Sequence, residues 1–212
     1  MTLISINVGL PREIIHGGQA ITTGIFKLPV AGPVWLGRLN LAGDGQADLR
    51  VHGGADKAMY AYPFEHYAFW AGEVGRNDFS HGQFGENFTT RGLLEDEVNI
   101  GDVFRIGEAR VQVTQPRSPC FKLGIRMGDE NFPARFATVN RTGFYLRVLE
   151  EGMVAAGDTI ERVERAAGSM TVRDVFRLRH VGGTRAEYEC AARLPGLSPS
   201  WCVAFEKRLT EK

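Results

Sequence analysis

The sequence predicts a mainly β protein with some α-helix, in which a β-barrel is followed by a small three-helix domain. Up to about Arg165, short strand-like segments are separated by glycines; the whole chain holds 26 glycines, and turns between strands favour them. After Arg165 the apolar spacing changes to the period of a helix. Hydrophobic residues make up 43% and charged residues 24%, as in packed globular domains. We therefore expect a barrel over residues 1–167 and a helical domain over residues 168–212.

Several segments of the first domain have the pattern of strands. They are Leu3–Val8, Val34–Leu39, Val103–Ile106, Ala109–Thr114 and Phe144–Leu149. Within the fourth, Val111 and Val113 alternate with polar residues that include Thr114, so we expect one buried face and one exposed face. Two helices should interrupt the strands. One should begin near Pro63, because proline suits the first helical position, and the other should span Phe132–Val139.

The three helices of the second domain can be placed from their first residues. Thr171 and Thr184 are each followed, three positions later, by an acidic residue, which is the pattern of a capping box. Ser198 precedes a proline, which suits a helix start. In the last helix one apolar stripe contains Trp201, Phe205 and Leu209. About 45 residues bury too little surface to be stable alone, so either the barrel or a second subunit of a homodimer should cover the stripe.

Charge and cysteine content restrict the kind of partner and compartment. Lys plus Arg and Asp plus Glu each number 25, so the zero formal charge argues against nucleic acid and membrane surfaces as partners. No apolar run approaches the ~18 residues of a membrane span, and the first residues lack the pattern of a secretory signal. The 3 cysteines form no C-x-x-C pair, which is typical of a reducing compartment. We expect a cytoplasmic protein in which any anion-binding site is formed by a local group of residues and not by the charge of the whole chain.

The segment Gln115–Cys120 has the composition of a reactive site. It directly follows a predicted strand, and two prolines stiffen it. Arg117 and Lys122 would lower the pKa of the Cys120 thiol, and the thiolate is the form that binds metal or attacks an electrophile. The alternative is that Cys120 is a small buried apolar residue, as unpaired cysteines often are.

The glycine pair of Arg50–Lys57 is a candidate phosphate site. Gly53 and Gly54 would let backbone amides converge on an anion, and His52 and Lys57 would add positive charge. An ordinary glycine turn with a surface lysine is the alternative, because the HGG motif is weak by itself.

Two further polar groups are candidates for a pocket. The motif F-G-E-N-F places Glu86 and Asn87 between aromatic residues, although an asparagine-stabilised turn would have the same pattern. Lys27 in G-I-F-K-L-P-V is a lone cation that could equally be a solvated lysine. The sequence lacks the dinucleotide-binding fingerprint, the P-loop, the zinc-protease motif H-E-x-x-H and the nucleophile elbow G-x-S-x-G.

Taken in order, four motifs resemble those of a MOSC domain, the C-terminal domain type of molybdenum cofactor sulfurases. They are D-L-R-V-H-G-G-A-D-K-A-M-Y-A-Y-P-F-E-H-Y (48–67), F-G-E-N-F (84–88), I-G-D-V-F-R-I-G (100–107) and Q-P-R-S-P-C-F-K-L (115–123). The resemblance is closest to the stand-alone bacterial YiiM-like proteins, because R-T-G-F-Y-L-R-V-L-E-E-G (141–152) and the C-terminal three-helix unit also match that subgroup.

The resemblance implies a MOSC-type β-barrel followed by a three-helix domain, and it implies roles for individual residues. Cys120 would be the catalytic residue, either binding molybdenum as a thiolate or carrying a persulfide. The residues implied in binding the molybdenum cofactor, Mo-molybdopterin, are Lys27, His52, Gly53, Gly54, Asn87 and Arg117. The match at Lys27 is looser than the others, because its flanking motif is loose.

The resemblance also implies an activity. The chain would be an oxidoreductase that reduces small N-hydroxylated compounds, such as N-hydroxylated purine base analogues, in a detoxifying role. No flavin, haem or iron–sulfur motif is present in the sequence, so electrons would come from an external reductase, which we expect to be a flavoprotein. The alternative is a carrier of the cofactor, or of persulfide sulfur on Cys120, without turnover of its own. Both functions need the same thiolate and phosphate pocket.

Overall fold

The computed structural model describes residues 1–48 and 53–210. The strands within these ranges are β1 (Thr2–Val8), β2 (Arg12–His16), β3 (Gln19–Thr23), β4 (Leu28–Pro29), β5 (Val34–Leu36), β6 (Met59–Pro63), β7 (Phe88–Arg91), β8 (Val103–Ile106), β9 (Ala109–Pro116), β10 (Phe144–Glu150), β11 (Gly152–Val154) and β12 (Ile160–Glu164). The α-helices are α1 (Glu65–Val74), α2 (Phe121–Met127), α3 (Phe132–Val139), α4 (Val172–His180), α5 (Arg185–Ala191) and α6 (Pro199–Thr210), and a 3₁₀ helix spans Ala55–Lys57.

The main sheet has eight strands in the order β12-β8-β9-β10-β6-β7-β1-β4. Adjacent strands in this sheet are antiparallel, except for β6 and β7, which are parallel. Within the described ranges no continuous ladder closes the sheet, but the start of β1 bonds to the residues at the start of β12. The Ile160 amide donates to the Met1 carbonyl at 2.9 Å, and the Leu3 amide donates to the Asp158 carbonyl at 2.9 Å. The mainly β fold with a C-terminal helical unit is therefore confirmed.

The alternating strands bury the faces that the sequence predicts. Phe144, Leu146 and Val148 on β10 are buried, as are Val111 and Val113 on β9. These side chains pack into one core with residues of β1, β6 and β8. A second cluster joins aromatic residues of β6, α1 and α3 and Phe84 with the aliphatic side chains of Ile25, Leu123 and Met127.

Two local expectations were wrong, and a third held only approximately. A helix does begin near Pro63, but the proline is the last residue of β6 and α1 begins two residues later, at Glu65. The strand from Val34 stops at Leu36, because the chain turns there and the Gly37 amide donates to the Asn40 carbonyl at 3.0 Å. Thr114 is buried, and its hydroxyl donates to the Asp56 carbonyl at 2.6 Å.

The C-terminal helices begin where their caps predict. The Thr171 hydroxyl accepts from the Asp174 amide at 3.1 Å. Thr184 and Glu187 form the reciprocal capping box, and α6 begins directly after Ser198. The two threonine caps satisfy amides at helix starts that have no partner within the helix.

The apolar stripe of α6 is covered by the same chain. Trp201 and Phe205 are buried and belong to the same core as the strand residues, together with Val175 and Phe176 of α4. The helical unit and the sheet thus share one core. The division at residues 167 and 168 stays a prediction, since a shared core does not locate a boundary.

Phe205→Ala should lower the free energy of unfolding by about 3–5 kcal/mol, because a buried aromatic side chain is lost and a cavity remains. Val203→Ala is the matched control: it lies on the same helix with 61% of the residue exposed, and it should change stability by less than about 0.5 kcal/mol. Urea unfolding of both variants measures the difference. Equal effects would contradict the packing of α6 described here.

Candidate functional site

One cavity collects residues from several distant parts of the chain. It opens to solvent and lies where β3 and β9 end and where β7 begins. Four cationic residues and one acidic residue line it, namely Lys27, Lys57, Arg117, Lys122 and Asp44. Four of the predicted site residues therefore line the same cavity, namely Lys27, Asn87, Arg117 and Cys120. The positive lining suits an anionic ligand.

Cys120 is held at the junction between a strand and a helix. β9 ends at Pro116, and Cys120 occupies the N-cap position of α2 in an extended conformation. Its carbonyl accepts from the Leu123 amide at 2.9 Å. The thiol is half-buried and reduced. A helix start favours negative charge, so this position favours a thiolate.

Arg117 is buried between aromatic rings at the back of the cavity. Its guanidinium carbon lies 4.7 Å from the centre of the Tyr60 ring, and Nη1 donates to the Tyr60 hydroxyl at 3.2 Å. The backbone amide of Arg117 donates to the Gly143 carbonyl at 3.1 Å. The guanidinium group also interacts electrostatically with Cys120. A fixed cation beside the thiol adds to the preference for the thiolate.

Lys27 is buried and bonded to Asp44. Its ammonium donates to Oδ1 of Asp44, and only 6% of the residue is exposed. Burial lowers the pKa of Lys27, and the Asp44 carboxylate offsets part of that effect. The solvated lysine is therefore excluded: the ammonium lies at the cavity, bonded to Asp44, and Glu86 also interacts with it electrostatically.

Asn87 supports Asp44. Its Nδ2 donates to Oδ2 of Asp44 at 2.8 Å, and its Oδ1 accepts from the Tyr60 amide at 3.2 Å. The Gly9 amide donates to Oδ1 of Asp44 at 2.8 Å. The carboxylate thus accepts from Gly9, Lys27 and Asn87. Asn87 therefore positions the ion pair of Lys27 and Asp44 and also lines the cavity.

Glu86, the other polar residue of the F-G-E-N-F motif, lies outside the cavity. It is buried and accepts from Tyr67, Thr89 and backbone amides, including that of Phe84 at 3.0 Å. Burial raises the pKa of Glu86, while these donors oppose the rise. Glu86 therefore organises the loop that carries Asn87.

The glycine loop reaches the cavity through Lys57. His52 lies outside the described residues. Gly53 is half-buried and Gly54 exposed, and neither lines the cavity. Lys57 does, at the end of the 3₁₀ helix, whose Asp56 is bonded to Arg147 at 2.9 Å. The role of this loop in binding phosphate stays a prediction.

Gly54→Ala should lower both stability and cofactor content. Gly54 has φ 89° and ψ 170°, a conformation that costs other residues about 1–3 kcal/mol. The added methyl group itself would meet open space, so any loss reports the backbone. Gly72→Ala is the control, because Gly72 lies within α1, where alanine should stabilise by about 0.5–1 kcal/mol. Thermal unfolding and metal analysis test both variants. If Gly54→Ala left stability and molybdenum content unchanged, the backbone conformation described for Gly54 would be contradicted.

Sequence reasoning missed three parts of the cavity. Asp44, Tyr60 and Tyr145 all line it, but none belongs to a polar motif. The Tyr60 and Tyr145 rings lie 5.4 Å apart, and burial raises the pKa of Tyr145. A Gly-Asp-Gly sequence around Asp44 was the available signal. Its Gly45 leaves no room for a side chain, since a Cβ there would lie 2.5 Å from Pro11.

Among the described residues, no helix combines the length and the apolar character that crossing a bilayer requires.

Known proteins are similar to this chain in sequence and in fold. Residues 48–161 match the MOSC domain, and residues 170–211 match the YiiM-like, 3-alpha helix domain. YflK of Bacillus subtilis (strain 168) is 43% identical, with 98% of this chain and 94% of that protein covered. The crystal structure of YiiM from Geobacillus stearothermophilus superposes with a TM-score of 0.83 at 38% identity and 98% coverage of both chains. A protein named reductase from Gibberella moniliformis (strain M3125 / FGSC 7600) is 32% identical; 83% of this chain and 32% of that protein are covered.

The chain belongs to the MOSC domain family. Within that family it has the YiiM-like arrangement, in which the MOSC domain is followed by the three-helix domain. MOSC domains are associated with binding of the molybdenum cofactor.

Proposed function

We propose that this chain binds Mo-molybdopterin through Cys120 and reduces N-hydroxylated compounds. The observation that carries the proposal is that one half-buried thiol and four cationic side chains line the same cavity. A molybdenum centre needs a soft protein ligand, and cysteine supplies it. The phosphate and dithiolene groups of the cofactor are anionic, and a cationic cavity fits them.

Different residues of the cavity would bind different parts of the cofactor. Cys120 would hold the metal, with Arg117 stabilising the thiolate. Lys27, kept in place by Asp44 and Asn87, would bind an anionic group of the cofactor. When bound, the cofactor supplies the two electrons that the reaction consumes.

The proposed reaction converts an R–NHOH group, two electrons and two protons into R–NH2 and water. The N–O bond breaks with the two electrons, one proton forms a new N–H bond in place of the hydroxyl, and the other proton converts the departing hydroxide into water. An external flavoprotein reductase would supply the electrons. Among the residues described, the walls of Tyr60 and Tyr145 offer flat surfaces against which a planar substrate can pack.

The test is turnover of an N-hydroxylated purine by protein from a host that makes the cofactor, with a chemically reduced viologen dye as electron donor. Molybdenum content is measured on the same sample. Reduction in proportion to bound molybdenum supports the proposal. Bound molybdenum without turnover would instead favour a carrier of the cofactor, and a persulfide on Cys120 without molybdenum would favour a sulfur carrier.

A further inference from the structure

A second cavity lies between the C-terminal ends of two helices of the three-helix unit. It is formed by Arg179 and His180 in the last turn of α4 and by Lys207 and Arg208 in the last turn of α6. Its other lining residues, Ala204 and Phe205, are apolar, and no acidic residue among those described lines it. Every polar side chain that lines this cavity is therefore basic, in a chain with no net charge.

The basic groups lie close enough to oppose one another. Burial lowers the pKa of Arg179, and Arg208 lowers it further. Burial and then Arg179 lower the pKa of His180, and Arg179 also contributes to the lowered pKa of Lys57. Helix C-termini attract cations, which explains each basic residue singly. It does not explain why two helix ends meet at one cavity, and an anion between them would offset the repulsion.

The second cavity shares a wall with the first. Nε2 of His180 lies 3.2 Å from Oγ of Ser118, and Ser118 lines the cavity that contains Cys120. Arg179 lies on the second cavity and interacts with Lys57, which lines the first. The two cavities are therefore adjacent, with Ser118 and His180 between them.

We propose that the basic cavity binds a phosphate monoester of the substrate, so that the enzyme acts on N-hydroxylated nucleotides. A phosphate monoester carries close to two negative charges and several acceptor oxygens, which match the guanidinium groups of Arg179 and Arg208. This inference rests on the proposed function, since it assigns the substrate class to the same active site. It also gives the three-helix unit a role in recognition.

The test compares three probes by calorimetry on the cofactor-loaded protein: adenosine 5′-monophosphate, adenosine and inorganic phosphate. We expect the monophosphate to bind at least roughly tenfold more tightly than either other probe, since one charge-assisted hydrogen bond contributes about that factor. In Lys207→Gln/Arg208→Gln this advantage should fall by roughly tenfold. Arg185→Gln is the matched control, because Arg185 belongs to the same unit but pairs with Glu189 at 2.9 Å outside the cavity.

Each other outcome overturns the inference. Equal binding of the nucleoside and the nucleotide would show that the phosphate is not recognised. Inorganic phosphate binding as tightly as the nucleotide would mark a free-phosphate site, and loss of molybdenum from the double variant would assign the cavity to the cofactor. If an acidic protein bound there but no probe did, the cavity would be a protein-docking surface. Wild-type turnover of an unphosphorylated N-hydroxylated purine tests the proposed function separately.

Discussion

Cys120→Ser should abolish reduction of N-hydroxylated compounds and remove most of the bound molybdenum, while the fold stays intact. A serine hydroxyl stays protonated near neutral pH and is a hard donor, so it replaces a thiolate poorly as a molybdenum ligand. The fold should survive because residue 120 caps α2, and serine is a favoured N-cap residue. Circular dichroism, metal analysis and turnover measure the three effects on one preparation.

The other two cysteines provide controls. Cys190 is exposed on α5 and Cys202 is half-buried on α6, and neither lines the cavity that contains Cys120. Cys190→Ser and Cys202→Ser should keep activity and metal. Full activity and full molybdenum content in Cys120→Ser would refute the assigned ligand.

Asp44→Asn should cost both stability and cofactor binding. The substitution keeps the shape of the side chain but removes the charge that balances Lys27, whose side chain is 8% exposed. It also turns one acceptor into a donor facing Gly9, Lys27 or Asn87. Breaking a buried ion pair by removing one partner costs about 3–5 kcal/mol. Chemical unfolding and molybdenum content measure the two effects.

A second substitution separates structure from binding. Lys27→Met in the Asp44→Asn background removes the uncompensated charge, so part of the lost stability should return. Cofactor binding should not return, because the cation that we assign to the anionic ligand is absent. Asp96→Asn is the control: its pair with Arg173 is about half exposed, and its loss should cost less than about 1 kcal/mol. Recovery of cofactor in the double variant would contradict the role of Lys27.

The elements that the sequence predicts correctly are those determined locally. Thr171 and Thr184 mark helix starts because each hydroxyl accepts from an amide three residues later, and Ser198 directly precedes the proline that begins α6. Phe132–Val139 and the hairpin arms are likewise fixed by neighbours in sequence. Pro63 marks the start of α1 to within two residues. It lies at the end of β6 and not in the helix, because a proline suits a strand end as well as a helix start, and the pairing of β6 with β7 decides between them.

The candidate site was predictable only where a family motif marks it. Lys27, Asn87, Arg117 and Cys120 come from such motifs and share the cavity. Asp44 could not be found this way, because its partners Lys27 and Asn87 lie 17 and 43 residues away. The contact of His180 with Ser118 spans 62 residues. Such pairs depend on strand order and helix docking, which no local pattern encodes.

The bonds between β1 and residues 157–160 also bear on how the chain folds during synthesis. β1 is translated before all of its partners. The end of β1 pairs with the nearby β4, but its other partners are β7, which ends at Arg91, and the carbonyl and amide groups near Asp158 and Ile160. The ribosome must therefore release most of the chain before β1 can form all of its backbone bonds. Until then much of β1 has unpaired backbone groups, a state prone to pairing with other chains. Native contacts between residues so distant in sequence favour slow folding. Aggregation of the nascent chain should therefore increase with the time between synthesis of β1 and synthesis of residues 157–160.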